Sequence, residues 1–139
     1  MSDACVVLIC GSRHWTDPEP IRRVLERLPG GSLVITGGQR SYDRDTGVYY
    51  GADYIAEREA REMHLHVATV PAQWKVFGRA AGPRRNQAIS LLLPAVSCVY
   101  GFPLGSSAGT AGMLALARHA GTRVVVYRDG EFSPPLGRI

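Results

Sequence analysis

Cysteine is scarce and badly spaced for chemistry, with only Cys5, Cys10 and Cys98 in the chain. An odd number inside apolar segments, with no C-x-x-C pair, excludes a disulfide framework and a zinc knuckle; the three read as buried hydrophobes. His14, His64, His66 and His119 are scattered without a ligand pattern, and Asp43 with Asp45 offers carboxylates but no further ligands, so no metal and no cofactor is expected. No apolar stretch approaches the roughly 20 residues that cross a bilayer, and no basic-then-apolar leader is present, so a cytoplasmic protein without a membrane partner is expected. A basic run is missing too. The net charge is +4 and the pI about 9.3, yet the arginines are dispersed. Their densest group, Arg79, Arg84 and Arg85, suits one phosphorylated small molecule as well as a nucleic-acid strand, so nucleic acid is permitted without being favoured.

What is present is ordinary globular material. A chain of 139 residues, 45% hydrophobic and 20% charged, can bury one core without a staple. Ala4 to Cys10 is a continuous apolar run stopped by Gly11-Ser12, which predicts a strand buried on both faces. Pro18 to Leu28 has Ile21, Val24, Leu25 and Leu28 at helical spacing, Asp17 as N-cap and Gly30-Gly31 behind. The same reasoning predicts strands at 33–36, 65–70, 96–102 and 122–127, and helices at 51–64, 83–93 and 111–120. On the helix at 51–64, Glu57 with Arg61 and Arg58 with Glu62 are spaced as i,i+4 pairs on a solvated face.

Strands alternating with helices require parallel pairing through right-handed crossovers. The expectation is an α/β, Rossmann-like three-layer sandwich with a five-stranded parallel sheet in the order 3-2-1-4-5. Its ligand site lies where strands one and four diverge at their C-terminal ends. Residues 1–128 form the predicted single domain and 129–139 a C-terminal tail. Residues 39–50 are an inserted polar loop, either a plain surface connection or a lid whose Tyr42, Tyr49 and Tyr50 stack on a base.

Gly105-Ser106-Ser107-Ala108-Gly109-Thr110 precedes the last helix. Small residues let backbone N–H groups approach an anion there, and the helix dipole favours one; the alternative is a flexible turn with Thr110 as an ordinary N-cap. Gly11-Ser12-Arg13 ends the first strand and Gly37-Gly38 the second, so the glycine-bearing turns share one edge of the sheet. Arg13 is either a surface arginine or a forked contact to phosphate or carboxylate. Arg85 and Asn86 open the third helix at the same edge. Asp53 either complements its helix dipole or binds a ribose hydroxyl. Ser12 has no histidine or acid placed by the sequence to activate it as a nucleophile.

Gly11-Ser12-Arg13, Gly37-Gly38 with Gly51-Ala52-Asp53, Trp74-Lys75, Gly82-Pro83-Arg84-Arg85-Asn86-Gln87 and Gly109-Thr110 together resemble the SLOG superfamily. That Rossmann-like group includes the DprA/Smf DNA-processing proteins and the LONELY GUY phosphoribohydrolases. The sequence looks most similar to its YspA/YpsA-related branch, which is frequent in actinobacteria and their phages. The resemblance implies a site for a nucleotide or nucleotide-derived ligand and a homodimer. The chain departs from it in three places: the insertion at 39–50, a longer turn before Gly109-Thr110, and Ala111-Gly112-Met113 where the phosphoribohydrolases place a catalytic Glu.

Three functions follow as expectations. The first is binding of a phosphorylated nucleoside or ADP-ribose-like molecule, with Gly105, Ser106, Ser107, Gly109 and Thr110 on phosphate, Arg85 neutralising it, and Asn86 with Asp53 on ribose. The second is a nucleoside 5′-monophosphate N-glycosidase, which needs a carboxylate near the anomeric carbon, with Asp53 or Glu57 as substitute for the missing acid. The third is a DprA-like nucleic-acid or protein interaction module.

Overall fold

The computed structural model describes residues 3–137. Strand β1 (Val6–Gly11) runs up the middle of the sheet, where Val7 and Ile9 face one layer and Leu8 the other, all almost fully buried. This period of two explains why the apolar run is continuous: both faces of a central parallel strand are covered. Helix α1 (Pro18–Leu25) starts on Asp17, whose carboxylate accepts from the Glu19 N–H at 3.0 Å, and buries Pro20, Ile21, Val24 and Leu25.

After β2 (Leu33–Thr36) comes a hairpin, β3 (Ser41–Asp43) with β4 (Val48–Tyr50), then α2 (Ala52–Glu62) and β5 (His66–Thr69). The short α3 (Trp74–Phe77) and α4 (Ala81–Ser90) lead to β6 (Cys98–Phe102), followed by α5 (Ala108–His119), β7 (Val124–Arg128) and β8 (Glu131–Ser133). The sheet order is β5-β2-β1-β6-β7-β8, parallel throughout except that β8 runs antiparallel to β7. The first five places are the expected 3-2-1-4-5. Helices α1 and α2 close one face around Trp15, Ile55 and Phe102, and α4 and α5 close the other around Ile89, Met113 and Leu114.

The sheet has six strands, not five, because the expected C-terminal tail contributes β8. Asp129 and Gly130 take φ of 52° and 80°, the left-handed pair of a two-residue hairpin turn, and return the chain so that Phe132 pairs with Tyr127. Phe132 is buried against the rings of Tyr127 and Phe102, with centroids 4.7 and 6.2 Å away. The insertion is likewise a two-stranded hairpin and not an irregular loop: Gly47 at φ 71° donates to the Asp43 carbonyl at 2.8 Å to close its turn.

The buried Glu59 of α2 accepts from Arg22 of α1 at 2.8 Å and from Arg58 at 3.2 Å, and those contacts hold its carboxyl below the usual carboxylate range. Glu57 does not make the expected pair with Arg61. It turns inward and accepts hydroxyls from Thr36 and Thr69. Among the described residues no helix is long and apolar enough to cross a membrane.

Phe132→Ala is expected to cost about 3 kcal/mol in a denaturant titration, the magnitude for removing a buried ring, whereas Glu131→Ala on the exposed side of the same strand should change stability by less than about 0.5 kcal/mol. Equal small effects would show that residues 131–133 are appended to the core and not part of it.

Candidate functional site

The β1 turn shapes the edge where the site forms. The Ser12 carbonyl accepts from Trp15 at 3.2 Å and Ala52 at 3.0 Å, its hydroxyl accepts from the His14 N–H at 3.0 Å, and the Trp15 carbonyl accepts from Gly51 at 2.8 Å. These bonds pin the start of α2 against the end of β1. Gly11 is required for that approach, since a Cβ would sit 2.6 Å from the Phe102 carbonyl oxygen and 2.7 Å from the Ala52 Cβ. Its role in the fold is close packing. The hydroxyl of Ser12 thus helps hold the turn, and among the described residues no side chain accepts its proton as an activating base.

Beside this turn a cleft of about 790 Å³ opens over the C-terminal ends of the strands. It gathers Gly11, Ser12, Arg13, Gly37, Asp53 and Arg85 with Asn86, Ser106, Ser107, Gly109 and Thr110. Gly38 and Gly105 do not line it. Gly38, at φ 67°, turns the chain after β2 and donates to the Thr36 hydroxyl at 3.1 Å; a Cβ there would collide with Thr69. Gly105, at φ 57°, borders a smaller hollow on the far side of its loop, shared with Arg128.

Arg85 lies across Gly37. Its Nη1 donates to the Gly37 carbonyl at 2.9 Å and its Nε to Asn86 Oδ1 at 2.9 Å, while Asn86 Nδ2 donates to the Gly109 carbonyl at 3.2 Å. A side chain at residue 37 would strike the guanidinium, so glycine there makes room for the arginine. The network ties β2, α4 and α5 together at the cleft.

Asp53 is 7% exposed, and only its Oδ2 is satisfied, by the Gln39 N–H at 3.1 Å. Oδ1 has no partner among the described residues. Burial, with help from the nearby Glu57 charge, pushes its carboxyl up to about 7; the amides of Gln39 and Gly37 and the Arg85 charge oppose the shift. The Cys10 thiol on the cleft wall is likewise pushed up by burial and by Asp53, so it presents no thiolate.

Helix α5 starts three residues earlier than expected because Ser107, not Thr110, is its N-cap. Ser107 Oγ accepts from the Thr110 N–H at 3.5 Å and lies 3.2 Å from the Thr110 hydroxyl. Gly109 and Thr110 therefore sit inside the first turn, where the Ala108 and Gly109 N–H groups have no intrahelical acceptor. The positive end of a 12-residue helix faces the cleft there.

The remaining candidates divide. Arg79 lines the cleft, but Arg84 turns away to lie 4.5 Å over the Phe77 ring. Arg13 lines the rim, with its Nε 3.4 Å from His14 Nε2. The hairpin tyrosines do not reach the cleft. Tyr42 packs on Tyr49 at 4.8 Å, Tyr49 on Tyr54 at 5.6 Å, and the Arg40 guanidinium covers Tyr49 at 4.7 Å. Asp43 spends an oxygen on the Asp45 N–H at 2.9 Å, and no three metal-ligating side chains come together among the described residues. Trp74, Gln39 and Leu104 line the cleft and were not singled out as site residues from sequence. For Trp74 the available signal was its place, with Lys75, among the motifs that carry the resemblance, where no role was assigned to it.

No family model and no curated protein matches the chain. Among solved structures, it is similar to DNA processing protein A (DprA) from Streptococcus pneumoniae, with 14% identity and a TM-score of 0.52, covering 88% of this chain and 58% of that one. A second similar structure is the C-terminal domain of the PF1911 hydrogenase from Pyrococcus furiosus, with 12% identity, a TM-score of 0.49, and coverage of 92% and 95%. The DprA match shows a shared Rossmann-like fold. The chain spans a little over half of that protein's length.

Asp53 gives the site a pH signature. Its native carboxyl titrates near 7 while an unfolded aspartate titrates near 3.9, so the native state keeps a proton that the unfolded state has lost. Stability is therefore expected to fall as pH rises from about 4 to about 7 and then to level off. Asp53→Asn removes this decline, and its stability relative to wild type should rise between about pH 4 and about pH 7 in parallel denaturation series. A constant difference across that range would show that Asp53 is ionised throughout.

Proposed function

We propose that the cleft binds a phosphorylated nucleoside or an ADP-ribose-like molecule, with its phosphate at the first turn of α5 and its sugar toward Asp53. The observation that carries this reading is the meeting of an open helix N-terminus with a buried, half-satisfied carboxylate in one cleft. An anion satisfies the Ala108 and Gly109 N–H groups, and Ser106, Ser107 and Thr110 add hydroxyls around it. Arg85 spends Nε and Nη1 inside the protein and has no partner for Nη2 among the described residues, so it retains donors for a phosphate. Asp53 Oδ1 lacks a hydrogen-bond partner among the described residues, and a ribose hydroxyl serves it in either protonation state, donating to the ionised carboxylate or accepting from the protonated acid. In this reading Arg13 closes the rim, Gly11 and Gly37 shape the floor, and Gly38 and Gly105 set the adjoining turns.

Membership of the SLOG superfamily and of its YspA-like branch, a single domain that takes in β8 as well as residues up to 128, and a homodimeric state form part of the same proposal. The DprA likeness and the charge of +4 also suit a nucleic-acid partner. A gel shift that weakens steeply with salt would favour that partner over a small molecule.

N-glycosidic cleavage is a second reading, favoured by one observation: a carboxyl that titrates near 7 lies in the cleft although no acid follows Thr110. Asp53 suits that acid–base role better than Glu57, whose Oε1 is taken by two threonine hydroxyls. Base release from AMP by wild type, lost in Asp53→Asn while AMP still binds, would make the protein an enzyme.

Calorimetry with AMP and ADP-ribose tests the binding proposal. Arg85→Ala is expected to weaken both by about 1.5–3 kcal/mol, the range for hydrogen bonds to a charged group. Unchanged affinity in that variant, with its melting temperature retained, would remove Arg85 from the phosphate site.

A further inference from the structure

With the hairpin tyrosines packed on one another, Trp74 is the one Phe, Tyr or Trp side chain lining the cleft among the described residues. It is 53% exposed, on a four-residue helix that buries none of its side chains. Leaving an indole half in water forgoes burial of one of the largest apolar surfaces a side chain offers.

Its seat is nonetheless built. The Gln73 carbonyl accepts from both Val76 and Phe77 at 3.0 Å to close α3, and the Arg84 guanidinium over Phe77 fastens α3 to α4. The far edge of the indole lies beside Gly82, where a Cβ would meet Trp74 Cη2 at 3.5 Å. Gly82 stands three and four residues before Arg85 and Asn86, on the same face of α4. One helix face thus presents an indole edge, then a guanidinium, then an amide, all on the wall of one cleft, and the exposed Leu104 adds a second apolar contact.

We propose that Trp74 is the base-binding wall of the cleft: its indole stacks on the planar base of a nucleotide whose sugar and phosphate lie toward Asp53, Arg85 and α5. This rests on the nucleotide reading above and extends it to the base. Every base has a π-face, so stacking on one indole supplies affinity without choosing among bases. The prediction is a site that prefers any nucleotide to the corresponding sugar phosphate. The competing occupant is a protein partner covering Trp74 together with the exposed Val76 and Phe77.

AMP and ribose 5-phosphate are titrated into wild type, Trp74→Ala and Trp74→Phe, by calorimetry and by tryptophan fluorescence. Trp74→Ala is expected to lower AMP affinity by roughly 5- to 150-fold. Trp74→Phe should keep most of that affinity, and ribose 5-phosphate should bind all three proteins alike. AMP should quench wild-type fluorescence, and the quenching should vanish in Trp74→Phe, where only Trp15 remains. Equal AMP affinity in all three proteins overturns the proposal and leaves the nucleotide reading standing. Self-association that disappears in Trp74→Ala, with AMP affinity unchanged, overturns it in favour of a protein contact. Failure of both ligands to bind wild type overturns both.

Discussion

The Arg85 guanidinium lying across Gly37 is the constraint on which the functional edge depends. It takes the carbonyl at the end of β2 as one acceptor and Asn86 as another, and Asn86 reaches on to the Gly109 carbonyl. One side chain and its neighbour thereby connect the turn after β2, the body of α4 and the first turn of α5. Charge-assisted bonds of this kind contribute about 1.5–3 kcal/mol each, a modest share of domain stability. Their greater effect is geometric. They bring a fixed positive charge, an open helix N-terminus and the edge of α2 to one place.

The same packing puts Asp53 in an uncomfortable position. The carbonyls of Ser12 and Trp15 take the Ala52 and Gly51 amides, so the backbone dictates where α2 begins. The second residue of that helix has little choice but to point its carboxylate inward. Burial, helped by Glu57, outweighs the two amides and Arg85, and lifts the carboxyl from the ordinary aspartate range to about 7. An acid at a helix N-terminus is commonplace when solvated; enclosed with one unpartnered oxygen, it becomes a demand for a hydrogen-bond partner.

The five-strand order was legible because the alternation of apolar strands with amphipathic helices leaves few right-handed topologies. The two hairpins were not, because the strands that create them, β3 and β4 in one and β8 in the other, are three residues long, too short for a period-two pattern to stand out. Asp129-Gly130 between apolar segments was the usable signal for β8. At the site, the turn glycines and the Arg85-Asn86 pair could be assigned to one edge from chain order alone. What those glycines accommodate could not. Gly11 and Gly37 make room for protein atoms, Ala52 and Arg85, and Gly38 and Gly105 take left-handed turns outside the cleft. Glu57 looked like a surface ion-pair partner because helical spacing ignores neighbouring strands; Thr36 and Thr69 come from two of them.

The antiparallel β8 also changes how the sheet ends. Without it, β7 would present a five-residue row of unpaired amides and carbonyls to solvent, a template for another chain's strand. With it, Val126–Arg128 are covered, and the strand that now faces outward is three residues long, includes the charged Glu131 and is followed by Pro134 and Pro135, which have no N–H to donate. The opposite edge, the four-residue β5, runs toward Pro71. Both margins are short and bounded by proline, so the sheet resists adding strands from neighbouring molecules even though its interior is rich in β-branched residues.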